Sequence, residues 1–136
     1  MIKGITYILK TDTTFQTRVG QNVALSKYKA YPVIAPQTES TPYSVCRMTA
    51  KALQYKGRAT YLCEFQVASY NKNYDDLEEL EDAVIEALVP RRGTYNGIDF
   101  NYIEFTNSSD DYVEAYSGLY VRITSFSCSI NKTALT

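Results

Sequence analysis

Residues 59–67 set the terms on which this chain can fold. Ala59, Tyr61, Cys63, Phe65 and Val67 alternate with Thr60, Glu64 and Gln66, the period-two pattern of a strand with one buried face. Upstream, Tyr43, Val45 and Arg47 alternate with Ser44, Cys46 and Met48, a second strand with one polar-leaning face. Lys56-Gly57 lies between them, so the pair reads as a long hairpin whose tip is basic through Lys51, Lys56 and Arg58. The period then changes to that of a helix. Asn71 to Asn73 offer caps, and Tyr74 to Val89 place Leu77, Leu80, Val84, Ala87 and Leu88 on one stripe before Pro90 ends it. The other face is acidic: Asp75, Asp76, Glu78, Glu79, Glu81, Asp82 and Glu86, with no basic residue. Asp75 and Asp76 suit the positive end of the helix dipole, and Arg91-Arg92-Gly93 follows the proline.

The flanks complete the order. Ile2, Ile5, Ile8 and Leu9 stand at helical spacing and predict an N-terminal helix to about Phe15. Thr11 and Asp12 cap a further short turn reaching Val19, which Gly20 ends. Residues 20–42, with Gly20, Pro32, Pro36 and Pro42, read as an extended loop. Two more strands are expected, Ile98 to Thr106 and Leu119 to Ile130, joined by a polar loop from Asn107 to Gly118. In the last, the apolar set runs Leu119, Val121, Ile123 and then Phe126, Cys128, Ile130, so its parity flips. A strand that keeps one core face cannot do this, which predicts a bulge near Thr124-Ser125. The same flip occurs between Tyr102 and Ile103. Hairpin-joined strands with helices set apart predict an α+β fold: a mostly antiparallel β-sheet with the N-terminal helix and the acidic amphipathic helix packed on one face. The length, 136 residues, suits one domain over 1–136.

Two absences narrow the chemistry. The chain has no His and no Trp, so Ser-His-Asp and Cys-His arrangements and His-ligated zinc are impossible. No phosphate-binding loop, dinucleotide-binding glycine pattern or nucleophile elbow occurs. Asp110, Asp111 and Glu114 loosely resemble a metal loop, but the spacing and the missing glycine do not fit a calcium hand. No enzyme, metal or cofactor is expected. Cys46, Cys63 and Cys128 are odd in number and widely spaced, and read as buried, reduced thiols. Asn107-Ser108-Ser109 and Asn131-Lys132-Thr133 match the glycosylation sequon, which carries no weight without a secretion signal. No apolar run approaches the length of a membrane span, so no membrane partner is expected.

The net charge of −1 hides a separation. Basic residues dominate 1–72, whereas 73–90 carry only acidic ones. Such bipolarity suits head-to-tail self-association, in which unlike surfaces meet and repetition makes a ring or filament. Tyr supplies 13 residues, against 5 Phe, and Tyr is enriched at protein interfaces. The candidate interface residues are therefore Lys51, Lys56, Arg58, Asp75, Asp76, Glu79, Arg91, Arg92, Asp110, Asp111 and Tyr112.

Several segments stand in a familiar order: Tyr31-Pro32, Ala35-Pro36-Gln37, Thr41-Pro42-Tyr43-Ser44-Val45, Asp82-Ala83-Val84-Ile85-Glu86-Ala87-Leu88 and Gly118-Leu119-Tyr120-Val121-Arg122. Taken together, and over nearly the whole chain, they resemble the tail-completion (tail-terminator) proteins of long-tailed bacteriophages. Residues 20–30 are longer, and 107–117 more acidic and Ser-rich, than that pattern. The resemblance implies a structural virion protein, made in the host cytoplasm, that forms a ring, commonly a hexamer, on the head-proximal end of the tail tube. Its implied partners are copies of itself, the tail tube protein and a neck or connector protein, with DNA only as passing cargo. The alternatives are another neck or head-completion protein, or a small host binding module.

Overall fold

The computed structural model describes residues 1–22, 27–33, 35, 40–55, 60–112 and 119–131. Its frame is the predicted hairpin, β4 (Tyr43–Tyr55) and β5 (Thr60–Asn71), which pair antiparallel. The hairpin tip, with Lys56 and Arg58, lies outside the described residues. β5 pairs in turn with β8 (Tyr120–Asn131), and β8 with β7 (Ile98–Tyr112), both antiparallel. Two short strands finish the sheet, β3 (Ala30–Pro32), parallel to β4, and β6 (Gly93–Tyr95), antiparallel to β7. The strand order is β3-β4-β5-β8-β7-β6. A separate two-stranded ribbon joins β1 (Gln21–Asn22) to β2 (Lys27–Tyr28). Residues 20–42 are thus not a plain loop, because three short strands lie within them.

Three helices accompany the sheet, α1 (Ile2–Thr11), α2 (Thr13–Val19) and α3 (Tyr74–Leu88). The first ends earlier than Phe15. Asp12 takes an extended conformation and its side chain accepts a hydrogen bond from the Phe15 N–H at 2.9 Å, capping α2 as its sequence position suggests. α3 begins likewise, with the Asn73 side chain accepting from the Asp75 N–H at 3.0 Å. α1 lies close to the sheet because Gly4 permits it: a Cβ there would meet the Phe100 ring at 2.8 Å.

The core is one layer between helices and strands. Ile5, Ile8 and Leu9 of α1 and Leu80, Val84, Ala87 and Leu88 of α3 pack on Cys46, Cys63, Phe65, Val67, Phe100, Ile103, Phe126 and Cys128. At its centre Phe65 and Phe126 face each other across β5 and β8, rings stacked at 5.0 Å. The α+β architecture with helices on one sheet face agrees with the sequence reading. All three cysteines are buried and free, and burial pushes the Cys46 thiol up to about 12.

β8 corrects the bulge expectation. It pairs with β5 without a register shift from Thr60↔Asn131 to Asn71↔Tyr120. Its inner face carries Arg122, Thr124, Phe126, Cys128 and Ile130, all buried, so the core parity never changes. Two polar residues continue the apolar row, while Val121 and Ile123 face the other way. The irregularities fall in β7, between Phe100 and Tyr102 and between Phe105 and Asn107. The first accounts for the flip at Tyr102-Ile103. β7 also runs on to Tyr112, so half of the supposed 107–118 loop is strand, and residues 113–118 lie outside the described set.

Candidate interface

The inward-pointing Arg122 organises one end of the molecule. Its Nη1 donates to Glu81 Oε1 at 2.9 Å, its Nε to Asp110 Oδ1, and its Nη2 to the Tyr74 hydroxyl at 3.0 Å. Thr124 Oγ1 donates to the other Glu81 oxygen at 3.2 Å, and Tyr74 donates to Asp110 Oδ2 at 2.8 Å. The Arg122 and Glu81 side chains are 10% and 11% exposed, whereas Asp110 is 54% exposed. Glu81 therefore leaves the acidic surface to which its sequence neighbours belong. It lies one turn beyond Leu77 on the apolar stripe, so α3 turns it into the sheet.

Electrostatics follow this geometry. The Tyr74 hydroxyl and the Arg122 guanidinium hold the Asp110 carboxyl below the usual carboxylate range. The Asp110 carboxylate in turn raises the Tyr74 phenol, with some help from burial. Burial alone would lower Arg122, but the hydrogen bond to Asp110 and the charge of Glu81 outweigh it and raise it. Tyr120 meets Tyr74 edge-on at 5.4 Å, so aromatic rings flank the ionic cluster.

Of the remaining predicted residues, those among the described residues divide between the two ends of the sheet, Lys56 and Arg58 lying outside that set. Asp75, Asp76 and Glu79 are exposed on the first turns of α3, beside the Asp110 end. Glu79 pairs with Arg18 of α2 at 2.8 Å, an exposed bridge worth about 0–1 kcal/mol. Asp111 and Tyr112 are opposite Val121 and Tyr120 in the ladder. Arg91 and Arg92 follow α3 at the far end, next to β6. Arg91 has a local duty: its Nε donates to the Ala87 carbonyl at 2.7 Å and its guanidinium lies over the Tyr95 ring, a helix C-terminal cap. Lys51 is exposed on β4 at that same end, with its Nζ 4.6 Å above the Tyr61 ring. Lys51, Arg91 and Arg92 thus lie toward the end of the sheet opposite Asp75, Asp76, Glu79 and Asp110, in company with Asp99 and Glu104.

The sheet face away from the helices carries a shallow trough of about 260 Å³, lined in part by Val45, Ala68, Tyr70, Val121 and Ile123. Val33 stands at its rim, 71% exposed, with φ of 63°. A β-branched residue there costs about 1–3 kcal/mol. The Val33 N–H donates to the Cys46 carbonyl at 2.9 Å, which holds it in place. Further along the same face, Asn131 exchanges hydrogen bonds with Asn101 and accepts from Thr60. Among the described residues no group of three or more His, Cys, Asp or Glu is placed to hold a metal ion, and no helix is long and apolar enough to cross a membrane.

Sequence reasoning missed Arg122, Glu81, Thr124 and Tyr74. The available signal was positional: Glu81 sits on the apolar stripe, and Arg122 and Thr124 keep the parity of Phe126 and Cys128.

No family model matches the sequence, and no curated protein does. The fold does have a match among solved structures. A chain of the structure titled "Virion of native gene transfer agent (GTA) particle" superposes with a TM-score of 0.72 at 14% sequence identity, covering 94% of this chain and 92% of that one. At that identity the likeness shows a shared fold, nearly end to end.

Proposed function

We propose that this chain is a structural protein of a phage-like virion, and specifically a terminator that caps the head-proximal end of a tail tube as a ring. The observation that carries the reading is the near-complete correspondence of its fold to a chain of a gene transfer agent virion, with few residues unmatched on either side. A shared fold does not by itself assign a function. The sequence resemblance to tail-completion proteins points the same way from independent features.

The surface chemistry fits adhesion. The basic β4 hairpin with Lys51 and the acidic α3 with Asp75, Asp76 and Glu79 offer unlike faces to successive copies, the requirement for a head-to-tail closed ring. The partners are further copies of the chain, probed by light scattering, and the last ring of the tube together with a neck or connector protein. A terminator of this kind performs no reaction: it binds the tube end more tightly than another tube subunit does and offers no surface for further growth. Passing DNA meets it only weakly, since the net charge of −1 supplies no basic excess.

The deciding experiment mixes the protein with cognate tail tubes and with portal rings, and images both by electron microscopy. Caps at one end of the tubes, with elongation arrested, are expected. Decoration of portal rings with bare tube ends would instead make it a neck or head-completion component. Reversing Lys56 and Arg58 to Glu is expected to lower the oligomer mass seen by light scattering, and an unchanged mass would remove the hairpin tip from the interface.

A further inference from the structure

The sheet ends on two strands that are only partly covered. β6 pairs with β7 only as far as Phe100, and β3 with β4 only as far as Cys46. Beyond those points, among the described residues, no strand lies on the outer side of Ile103–Asp110 in β7 or of Arg47–Ala52 in β4. Every residue of these two windows except Ile103 is exposed. Such edges present rows of backbone donors and acceptors that recruit another strand unless something blocks them.

The two edges match each other. Reading across the sheet, Met48, Phe65, Phe126 and Phe105 stand in one row, and Lys51, Cys63, Cys128 and Ile103 in another. Arg47 is likewise level with Asn107, and Ala50 with Glu104. Since each neighbouring pair from β4 through β5 and β8 to β7 is antiparallel, β4 and β7 run in opposite directions. A copy displaced sideways along the sheet therefore sets its β4 antiparallel to the β7 of the first. Met48 and Phe105, two of the exposed large apolar side chains at 48% and 42%, become cross-strand neighbours on the helix side. They extend the stacked Phe65–Phe126 pair, against which Phe105 already lies edge-on at 6.0 Å.

Charge selects this pairing over like edges. The β4 window carries Arg47 and Lys51 and no acid, whereas the part of β7 level with it, Ile103–Asn107, carries Glu104 and no base, Asp110 being paired with Arg122. β4 against β4 would set cations together, and β7 against β7 carboxylates, both unfavourable in a ladder.

We infer that the exposed edges of β4 and β7 are the two halves of one subunit interface, through which a second copy of this chain adds its strand to make a continuous sheet from subunit to subunit. The inference rests on the self-association proposed above and assigns its geometry. Each edge contains one register irregularity within its window, at Met48/Ala50 and at Phe105/Asn107. Such irregularities increase local twist, which suits a sheet that curves into a closed ring better than a flat filament.

Disulfide trapping tests this. Met48→Cys and Phe105→Cys are made separately, and because both sites are exposed neither substitution empties the core. The two are mixed at the highest soluble concentration, oxidised and run on a non-reducing gel beside wild type, with light scattering in parallel. Covalent dimers are expected only in the mixture, and a ladder of higher species from the double variant. Phe105→Lys, with unchanged circular dichroism, is expected to lose the oligomer. Oligomers in scattering without cross-links above wild type would overturn the edge pairing while leaving self-association standing. Monomers in scattering with no cross-link would overturn both. Dimers from either single variant alone would replace the β4–β7 pairing with a two-fold one and overturn it.

Discussion

Removing Arg122 exposes the energetics of the buried ion pair most directly. Its partner Glu81 is 11% exposed on the side chain and has two hydrogen-bond donors, Arg122 Nη1 and Thr124 Oγ1. Arg122→Ala takes away the cation and leaves a carboxylate in the helix–sheet layer with one hydroxyl. Breaking a buried pair from one side costs about 3–5 kcal/mol. Glu81→Ala costs less, about 2–3 kcal/mol, because Arg122 keeps Asp110 and Tyr74 as partners. The double variant removes both charges, so its loss falls well short of the sum, with a coupling of about 1–3 kcal/mol. For a chain of this length the Arg122→Ala loss corresponds to a melting temperature lower by roughly 10–18 °C. Urea and thermal unfolding followed by circular dichroism read all three variants. If the single losses simply add, or if Arg122→Ala costs under about 1 kcal/mol, the pair does not hold α3 on the sheet.

Two further outcomes follow from the same geometry. Asp110 titrates lower in the folded chain than its ordinary value of 3.8, so its contribution is complete above about pH 4 and disappears as the pH falls through the folded value. Asp110→Asn is expected to flatten the pH dependence of stability in that acid window, and a profile parallel to wild type would show that the carboxylate is not the source. Gly4→Ala puts a methyl 2.8 Å from the Phe100 ring and is expected to cost about 1–3 kcal/mol, read in the same unfolding assay; a neutral result would mean that α1 lifts from the sheet at no cost.

Much of the fold is legible because its core obeys simple periods. The odd positions of β5 and the Leu77–Leu88 stripe of α3 are apolar where the layers meet, and Asp12 and Asn73 cap where their side chains suggest. What escaped had physical reasons. β1, β2 and β3 have two or three residues each, too few for any alternation. Beyond Phe105, β7 is held by its ladder to β8 while its side chains face solvent, so Ser108, Ser109 and Asp110 look like loop. The buried ion cluster was the hardest to read, because surface charge on α3 was visible as composition but the inward turn of Glu81 was not. Counted with its neighbours it belonged to the acidic face; counted by stripe position it belonged to the core. The same holds for Arg122 and Thr124, whose polarity disguised an unbroken inner row and suggested a bulge where the strand is regular.

The pairing of Glu81 with Arg122 has a consequence for how the helix finds its seat. Sliding α3 by one residue would swing Glu81 about 100° around the helix axis, leaving Arg122 without its carboxylate inside the layer. Leu, Val and Ala side chains could partly repack after such a slide, but Arg122 would keep only the more exposed Asp110 as its carboxylate partner. The ion pair works as a key with a single notch, admitting one rotation and one height of the helix and penalising each neighbouring setting.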